Sequence, residues 1–368
     1  MTRQNNYNST AIQPLEPVKQ NENNFYNIPN STASNLVLDV LGAGVNIADL
    51  PERKKQVNHN VQYQVLEDKN KRCIALKNKL SEVTVELLDI EKVTGSNKPA
   101  KKLFVLSLIK ANEQAIHNGQ LVKDHISFPL QELLDIGFYK TPQSARKGFK
   151  SGADILTSLK IKGKIKKSET VQTQIEALEL LFTGARIVKG QCYIFFNPRI
   201  SWGFLTQYFT ILPRYYFRLP NRASDLLYYI FFLARQRTKD IKERGYFTIG
   251  FRAIQQKLQL PNENGLNNPR RDIKDAIENA IEQLENEHSK TYKNMEFSLF
   301  PVYDDEAPIA EYLDNGYLKV ELKGSFASTF IAISKRTEKQ QRKISEKSKP
   351  QIVGKKPENK NKNTYSSH

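Results

Sequence analysis

Cationic and amide side chains gather at the front of two helical segments, with spacings that suit phosphate neutralisation and base-edge hydrogen bonding rather than bond making. In the first, Lys140, Gln143, Ser144, Arg146, Lys147 and Lys150 surround Thr141-Pro142. Arg146 can meet guanine through two parallel donors, and Gln143 can pair with adenine. Which of them reaches a base and which only a phosphate stays open at this level. Further on, Lys160, Lys162, Lys164 and Lys166 alternate with Ile161, Gly163 and Ile165. A strand's period of two sends all four ammonium groups from one face, about 7 Å apart. They repel one another there unless a row of phosphates lies opposite; an edge strand guarded by lysine is the other reading. In the second segment Asn268-Pro269 precedes Arg270, Arg271 and Lys274, with Arg252 upstream. Cations in the first turn of a helix oppose its dipole at about 0.3–1 kcal/mol each, a loss that an anion would reverse. The same segment turns acidic at Glu278, Glu282 and Glu285, so only its front suits an anion. A solvated face with pairs such as Lys274–Glu278 is the alternative.

Bond-making motifs are missing. The chain has no Gly-x4-Gly-Lys-Ser/Thr phosphate loop, and its five histidines (59, 117, 125, 288, 368) show no paired spacing for a metal. Cys73 and Cys192 give neither a zinc site nor a disulfide framework, and they fit a reduced, cytoplasmic setting. No cofactor, no metal and no enzymatic activity are expected. A nicking enzyme with Tyr215 or Tyr216 as nucleophile would need the metal-binding histidine pair that is absent. The acidic run Asp304-Asp305-Glu306 reads as a solvated loop.

The net charge of +17 over 368 residues calls for a polyanionic partner. From Lys335 to His368 eleven Lys/Arg stand against three Glu, so +8 of the excess sits in a segment with few core-forming residues. The other +9 belongs to the part that can fold. Residues 1–34 are polar and Asn-rich, without the apolar run of a signal peptide. The longest apolar stretch, Leu226 to Ala234, is too short to span a bilayer, and no membrane association is expected.

Periodicity places the elements that carry these side chains. Residues 1–60 read as a disordered Asn-rich arm and 335–368 as a disordered basic tail; within the arm, Leu36 to Leu50 forms an apolar patch able to dock. In 61–200, Lys101 to Asn118 has helical spacing, His125 to Phe128 is a short strand, and Pro129 opens a helix that Gly137 closes. Thr141 caps the next helix with Pro142 at its first position, and Ala145, Phe149, Gly152, Leu156 and Leu159 form one apolar stripe. Lys160 to Lys167 and Glu179 to Asn197, broken at Lys189-Gly190, supply strands. In 201–334, Asp225 caps an apolar helix to Gln236, Tyr246 to Ile249 is the short strand, and Arg252 to Gln259 the short helix. Asn268-Pro269 repeats the cap-plus-proline device, with Ile273, Ile277, Ala280, Ile281 and Leu284 as the buried stripe. Phe297 to Tyr303 and Tyr312 to Leu322 follow as strands around Asp314-Asn315-Gly316. The aromatics from Tyr193 to Phe232 read chiefly as core between the halves, or else as a stacking platform for single-stranded DNA.

The order helix, strand, helix, turn, helix, hairpin thus occurs twice. This predicts a helix-rich α+β chain of two tandem winged-helix domains, 61–200 and 201–334, with the lysine strand as the wing of the first. Over residues 75–334, and above all from Leu133 to Lys164, the chain resembles the replication initiators of theta-type plasmids. That resemblance implies binding of double-stranded DNA repeats at an origin, a monomer–dimer equilibrium, and recruitment of host helicase or initiator proteins. A transcriptional regulator with tandem winged helices is the alternative.

Overall fold

The computed structural model describes residues 25–29, 32–42, 56–58, 61–68, 71–78, 83–87, 98–118, 124–166, 172–198, 209–261, 263, 266–291, 295–300 and 308–323, together with 327, 332, 335 and 339. They form a chain of mixed helix and strand. The first half contains helix α2 (Lys98–Asn118), strand β6 (His125–Pro129), and helices α3 (Glu132–Asp135) and α4 (Pro142–Leu156). Strands β7 (Leu159–Lys166), β8 (Gln172–Leu180), β9 (Phe182–Val188) and β10 (Gln191–Phe196) follow. The second half contains β11 (Phe209–Pro213), α5 (Asn221–Gln236), α6 (Thr238–Arg244), β12 (Tyr246–Gly250) and α7 (Phe251–Lys257). After a π-helical turn, Arg270–Lys274, come α8 (Asp275–Thr291), β13 (Met295–Phe300), α9 (Ile309–Asn315) and β14 (Tyr317–Leu322).

Each half closes a three-stranded antiparallel sheet in the same manner. The orders are β6-β10-β9 and β12-β14-β13, so the third strand lies between the first and the second. Alternation along these strands sends one set inward: Ile126, Phe128, Cys192, Ile194 and Phe196 in the first sheet, and Phe247, Ile249, Leu318 and Val320 in the second, are buried. Helix α5 carries Leu226, Leu227, Ile230 and Phe231 into the core, as its dense apolar pattern requires.

Four expectations need correction. The lysine strand does not belong to the closing hairpin. β7 pairs with β5 (Val83–Leu87) on one side and β8 on the other, inside a six-stranded sheet ordered β2-β3-β4-β5-β7-β8, where β2 is Gln56–Asn58, β3 Val61–Asp68 and β4 Lys71–Asn78. The hairpin that closes the first three-stranded sheet is β9–β10, turning at Lys189-Gly190. Period-two lysines are compatible with any strand, and only the pairing of distant strands distinguishes these positions. Leu159 accordingly starts β7 rather than ending the stripe of α4.

The arm 1–60 is the second correction. Strand β1 (Phe25–Pro29) pairs antiparallel with β11, and helix α1 (Thr32–Gly42) buries Leu36, Val37, Leu38, Val40 and Leu41. The apolar patch repays the ordering entropy that the surrounding Asn-rich composition cannot. Third, Asp225 does not cap α5. The helix begins one turn earlier, and Asp225 pairs with Lys101 at 2.8 Å. Fourth, Tyr312 to Asn315 lies in α9, a helical insert between the last two strands, instead of extending a strand. The tail 335–368 lies outside the described residues apart from positions 335 and 339.

Segment 25–42 also ties the halves together. Lys257 of α7 pairs with Asp39 of α1 at 2.6 Å, and the Gln259 amide donates to the Asp39 carbonyl at 2.7 Å. Burial pushes the Lys257 ammonium toward neutrality, but the charge and hydrogen bond of Asp39 outweigh it and hold its pKa above the usual lysine value. Lys102 of α2 donates to the carbonyls of Phe217 and Leu219 at 2.8 and 2.6 Å, and burial lowers its pKa to about 8.

Candidate nucleic-acid interface

The front of α4 is set by its cap. Thr141 Oγ1 accepts from the Ser144 amide at 3.2 Å, and the Thr141 amide donates to Ser144 Oγ at 3.2 Å, a reciprocal capping box. Ser144 is therefore engaged in holding the helix end and does not stand free for a base. Ala145, Phe149, Gly152 and Leu156 turn inward. Gly152 permits the close approach to α2: a Cβ there would lie 3.2 Å from Leu103 Cδ2 and 3.2 Å from the Pro99 carbonyl carbon. With that stripe buried, Lys140, Gln143, Arg146, Lys147 and Lys150 are all exposed. None of the four cations has an ion pair among the described residues. They are like charges collected at the front of one capped helix.

The β9–β10 hairpin adds a residue that pattern reading left unassigned. Lys189 and Gly190 both hold positive φ, 48° and 79°, the tight hairpin turn whose twist matches the strands. The turn exposes Lys189, and the Leu130 amide donates to the Gly190 carbonyl at 2.8 Å, fixing the tip beside the start of the helical pair. Arg186 lies over the rings of Tyr193 and Phe195, 5.8 and 5.2 Å from their centres. The Lys189-Gly190 dipeptide was the available signal, since it breaks an alternating run.

Lys160 and Lys162 are half-buried on the six-stranded sheet. Their strand partners across the ladder are Glu86 and Thr84. Burial raises the Glu86 carboxyl pKa, with the two lysines pulling the other way. A carboxylate thus faces the row where phosphates were expected. The side chains of Lys164 and Lys166 lie outside the described residues.

In the second half the cap recurs: Asn268 Oδ1 accepts from the Arg271 amide at 3.1 Å, as Thr141 accepts from a residue three positions on. Asn268 is committed to that role. Counted from the cap, the buried stripe begins one residue later than in α4, at Ile273 instead of the position of Ala145, and the π-helical turn absorbs the extra residue. Arg271 is exposed, with its Nε donating to Asp272 at 3.1 Å, and Arg270 is half-exposed.

Two residues expected to meet nucleic acid do not face solvent freely. Lys274 is only 7% exposed and its ammonium lies 5.8 Å from the centre of the Tyr312 ring. Arg252 donates to Asp314 at 2.6 Å and to Glu263 at 2.7 Å. Tyr312 and Asp314 both belong to α9, so one helical insert withdraws both cations. The first hairpin has a two-residue turn in the same place, which is why Arg146 stays open.

Tyr215 and Tyr216 are each 1% exposed, and the Tyr215 hydroxyl lies 2.7 Å from His288 Nδ1. Burial raises the Tyr216 pKa far above its usual value. Both rings therefore lie in the core and not at the surface where a nucleophile would meet a phosphodiester. Tyr228 and Phe231 are buried as well, in line with the core reading of this aromatic cluster. Among the described residues, no group of three or more His, Cys, Asp or Glu is placed to hold a metal ion. No described helix is long and apolar enough to cross a membrane.

No family model matches the chain, and no curated protein matches it. Two solved structures are similar in part. One is a selenomethionine derivative of domains 2 and 3 of RctB, with TM-score 0.40 and 11% identity, covering 78% of this chain and 99% of that chain. The other, RctB domains 2-3, has TM-score 0.39 and 11% identity over the same shares. Likeness at this level carries no argument about what the chain does.

Proposed function

We propose that the chain is a sequence-specific duplex DNA-binding protein made of two tandem winged-helix units, within 61–200 and 201–334, that initiates replication of a plasmid or other mobile element at repeated origin sites. The observation that carries this reading is the front of α4. Arg146, Lys147 and Lys150 on a capped helix whose opposite face is core, and Lys140 just before its cap, stand exposed without ion pairs among the described residues. Such a surface meets phosphates with its lysines and base edges with Arg146 and Gln143, entering a major groove front end first. Lys189 at the adjacent hairpin tip and Arg270 and Arg271 at the second helix front extend the same chemistry. The shared strand order of the two halves supports the winged-helix assignment. A monomer–dimer equilibrium and recruitment of host helicase or initiator proteins come from the resemblance to theta-type initiators, whereas the DNA contacts rest on the side chains themselves and a cytoplasmic setting on the use of cysteine.

Duplex affinity measured against salt is the first test. With about 6–10 phosphates neutralised, binding weakens by roughly 10³–10⁵ between 50 and 200 mM salt. Arg146→Ala with Lys147→Ala lowers the slope of log K against log salt by about one per lost phosphate contact. A flat salt response, or an unchanged slope in the double variant, would overturn the assignment. Replication is tested separately, by placing the flanks of the coding region on a plasmid that lacks an origin. Binding without replication in that assay leaves the transcriptional regulator.

A further inference from the structure

The outward face of the second three-stranded sheet carries two of the large apolar side chains left exposed among the described residues. Its inner residues are core, and the strand register lines up the outer ones in rows: Gly250, Tyr317 and Phe300; then Thr248, Lys319 and Ser298; then Tyr246, Glu321 and Glu296. Phe300 and Tyr317 are 40% and 37% exposed, and they stack with ring centres 5.8 Å apart and planes 21° apart. Two adjacent rings left open in this way offer a flat apolar ligand a ready surface to stack on. Gly250 stands directly across the ladder from Tyr317 and leaves the space beside that ring empty: a Cβ there would meet nothing within 4 Å.

Cations frame this face. Lys319 lies 4.6 Å from the centre of the Tyr246 ring and bonds Glu321 at 2.8 Å. Helix α6 and the residue before it contribute Arg237, Asp240 and Arg244, and together these groups line a concavity of about 560 Å³. Arg237 leans toward Asp240 at 3.7 Å, whereas Arg244 is exposed with no ion pair among the described residues. Lys319 is already paired with Glu321 and Arg237 leans on Asp240, which leaves Arg244 as the cation open to a phosphate beside the stacked pair, a match for a strand that carries flat apolar rings. Bases in a duplex already stack on each other and cannot use such a platform; unpaired bases can.

We infer that the outer face of the β12–β14–β13 sheet binds single-stranded nucleic acid, one base stacking on the Phe300–Tyr317 pair over Gly250 and an adjoining phosphate meeting Arg244. The site shares no residue with the helix fronts assigned to duplex DNA, so the two readings stand or fall separately.

The test is fluorescence anisotropy of the full chain with labelled dT15 and rU15, and with a labelled duplex. Wild type binds at least one of the single strands. Phe300→Ala with Tyr317→Ala weakens that binding by about 5- to 150-fold, the range of one stacked base, and leaves duplex affinity within about twofold. Gly250→Leu, which keeps both rings but fills the space beside Tyr317, weakens single-strand binding in the same direction. Arg146→Ala with Lys147→Ala gives the reverse pattern. The inference is overturned if wild type binds neither single strand, or if both the Phe300/Tyr317 and Gly250 variants bind them like wild type. It is also overturned if wild type sediments as a dimer that the Phe300/Tyr317 variant loses, because the face is then an interface between copies.

Discussion

Acidification should destabilise the second half through one histidine. His288 on α8 is 2% exposed, shares a hydrogen bond with the Tyr215 hydroxyl, and sits against the rings of Tyr215 and Phe297 at 5.7 and 5.8 Å. Burial pushes its pKa down to about 4 from an ordinary 6.5. The neutral ring is therefore the native form. Between pH 6.5 and 4 the unfolded chain holds a proton that the folded chain refuses, so stability is complete above 6.5 and falls with falling pH. The drop from 6.5 to about 4 corresponds to about 3 kcal/mol when fully expressed. About 1 kcal/mol of this is lost by pH 5.5, and roughly 2–3 kcal/mol by pH 4.5. His288→Gln retains an amide able to bond Tyr215 but cannot titrate. Urea unfolding of both proteins at pH 7, 5.5 and 4.5 isolates the effect from carboxylates common to the two. At pH 7 the variant is less stable by about 1–3 kcal/mol for the disturbed contact, and the gap narrows, or reverses, by the amounts above as pH falls. A gap that stays constant from pH 7 to 4.5 would show that His288 is not held neutral by burial, and the reasoning would fail.

Other outcomes follow from the contacts described. Asp39→Ala strands the Lys257 ammonium; breaking a buried pair costs roughly 3–5 kcal/mol, the lower end applying here because the side chains keep 16% and 19% of their exposure, and chemical denaturation measures it. Gly316→Ala places a Cβ 2.4 Å from both Phe251 Cδ2 and the Tyr312 carbonyl, and the melting temperature drops by the equivalent of about 1–3 kcal/mol or more. Lys274→Ala leaves duplex affinity unchanged within about twofold, since the ammonium is packed on Tyr312, while Arg270→Ala with Arg271→Ala removes the preference for one site over bulk DNA. A competition titration with unrelated duplex compares the two, and equal losses would refute the division between buried and exposed cations.

Much of the local organisation was legible along the chain because it depends on neighbours in sequence. The Thr141 cap with Pro142, the apolar stripe of α4, the stop at Gly137 and the turn at Lys189-Gly190 are each set by spacing and backbone preference within a few residues. The cationic fronts of both helices follow from the same periodicity, since residues off a buried stripe face solvent. Segment 25–42 was partly legible: its apolar patch was visible, but not the strand Phe25–Pro29 that pairs with residues nearly two hundred positions away.

What needed the tertiary structure is of another kind. Lysines at every second position say only that a strand is present; its partner β8 follows directly in the chain, but β5 lies more than seventy residues upstream, and that pairing puts Lys160 and Lys162 in a larger sheet where Glu86 faces them. Lys274 has the same charge and the same kind of helical position as Arg146, yet α9 covers the first while the second is exposed. The chain alone determined that the segments after Thr141 and Asn268 fold as capped amphipathic helices with positively charged fronts. Only the packing of distant elements determined which of those charges remain in water, because exposure belongs to a residue's three-dimensional neighbours and not to its place in a repeating pattern.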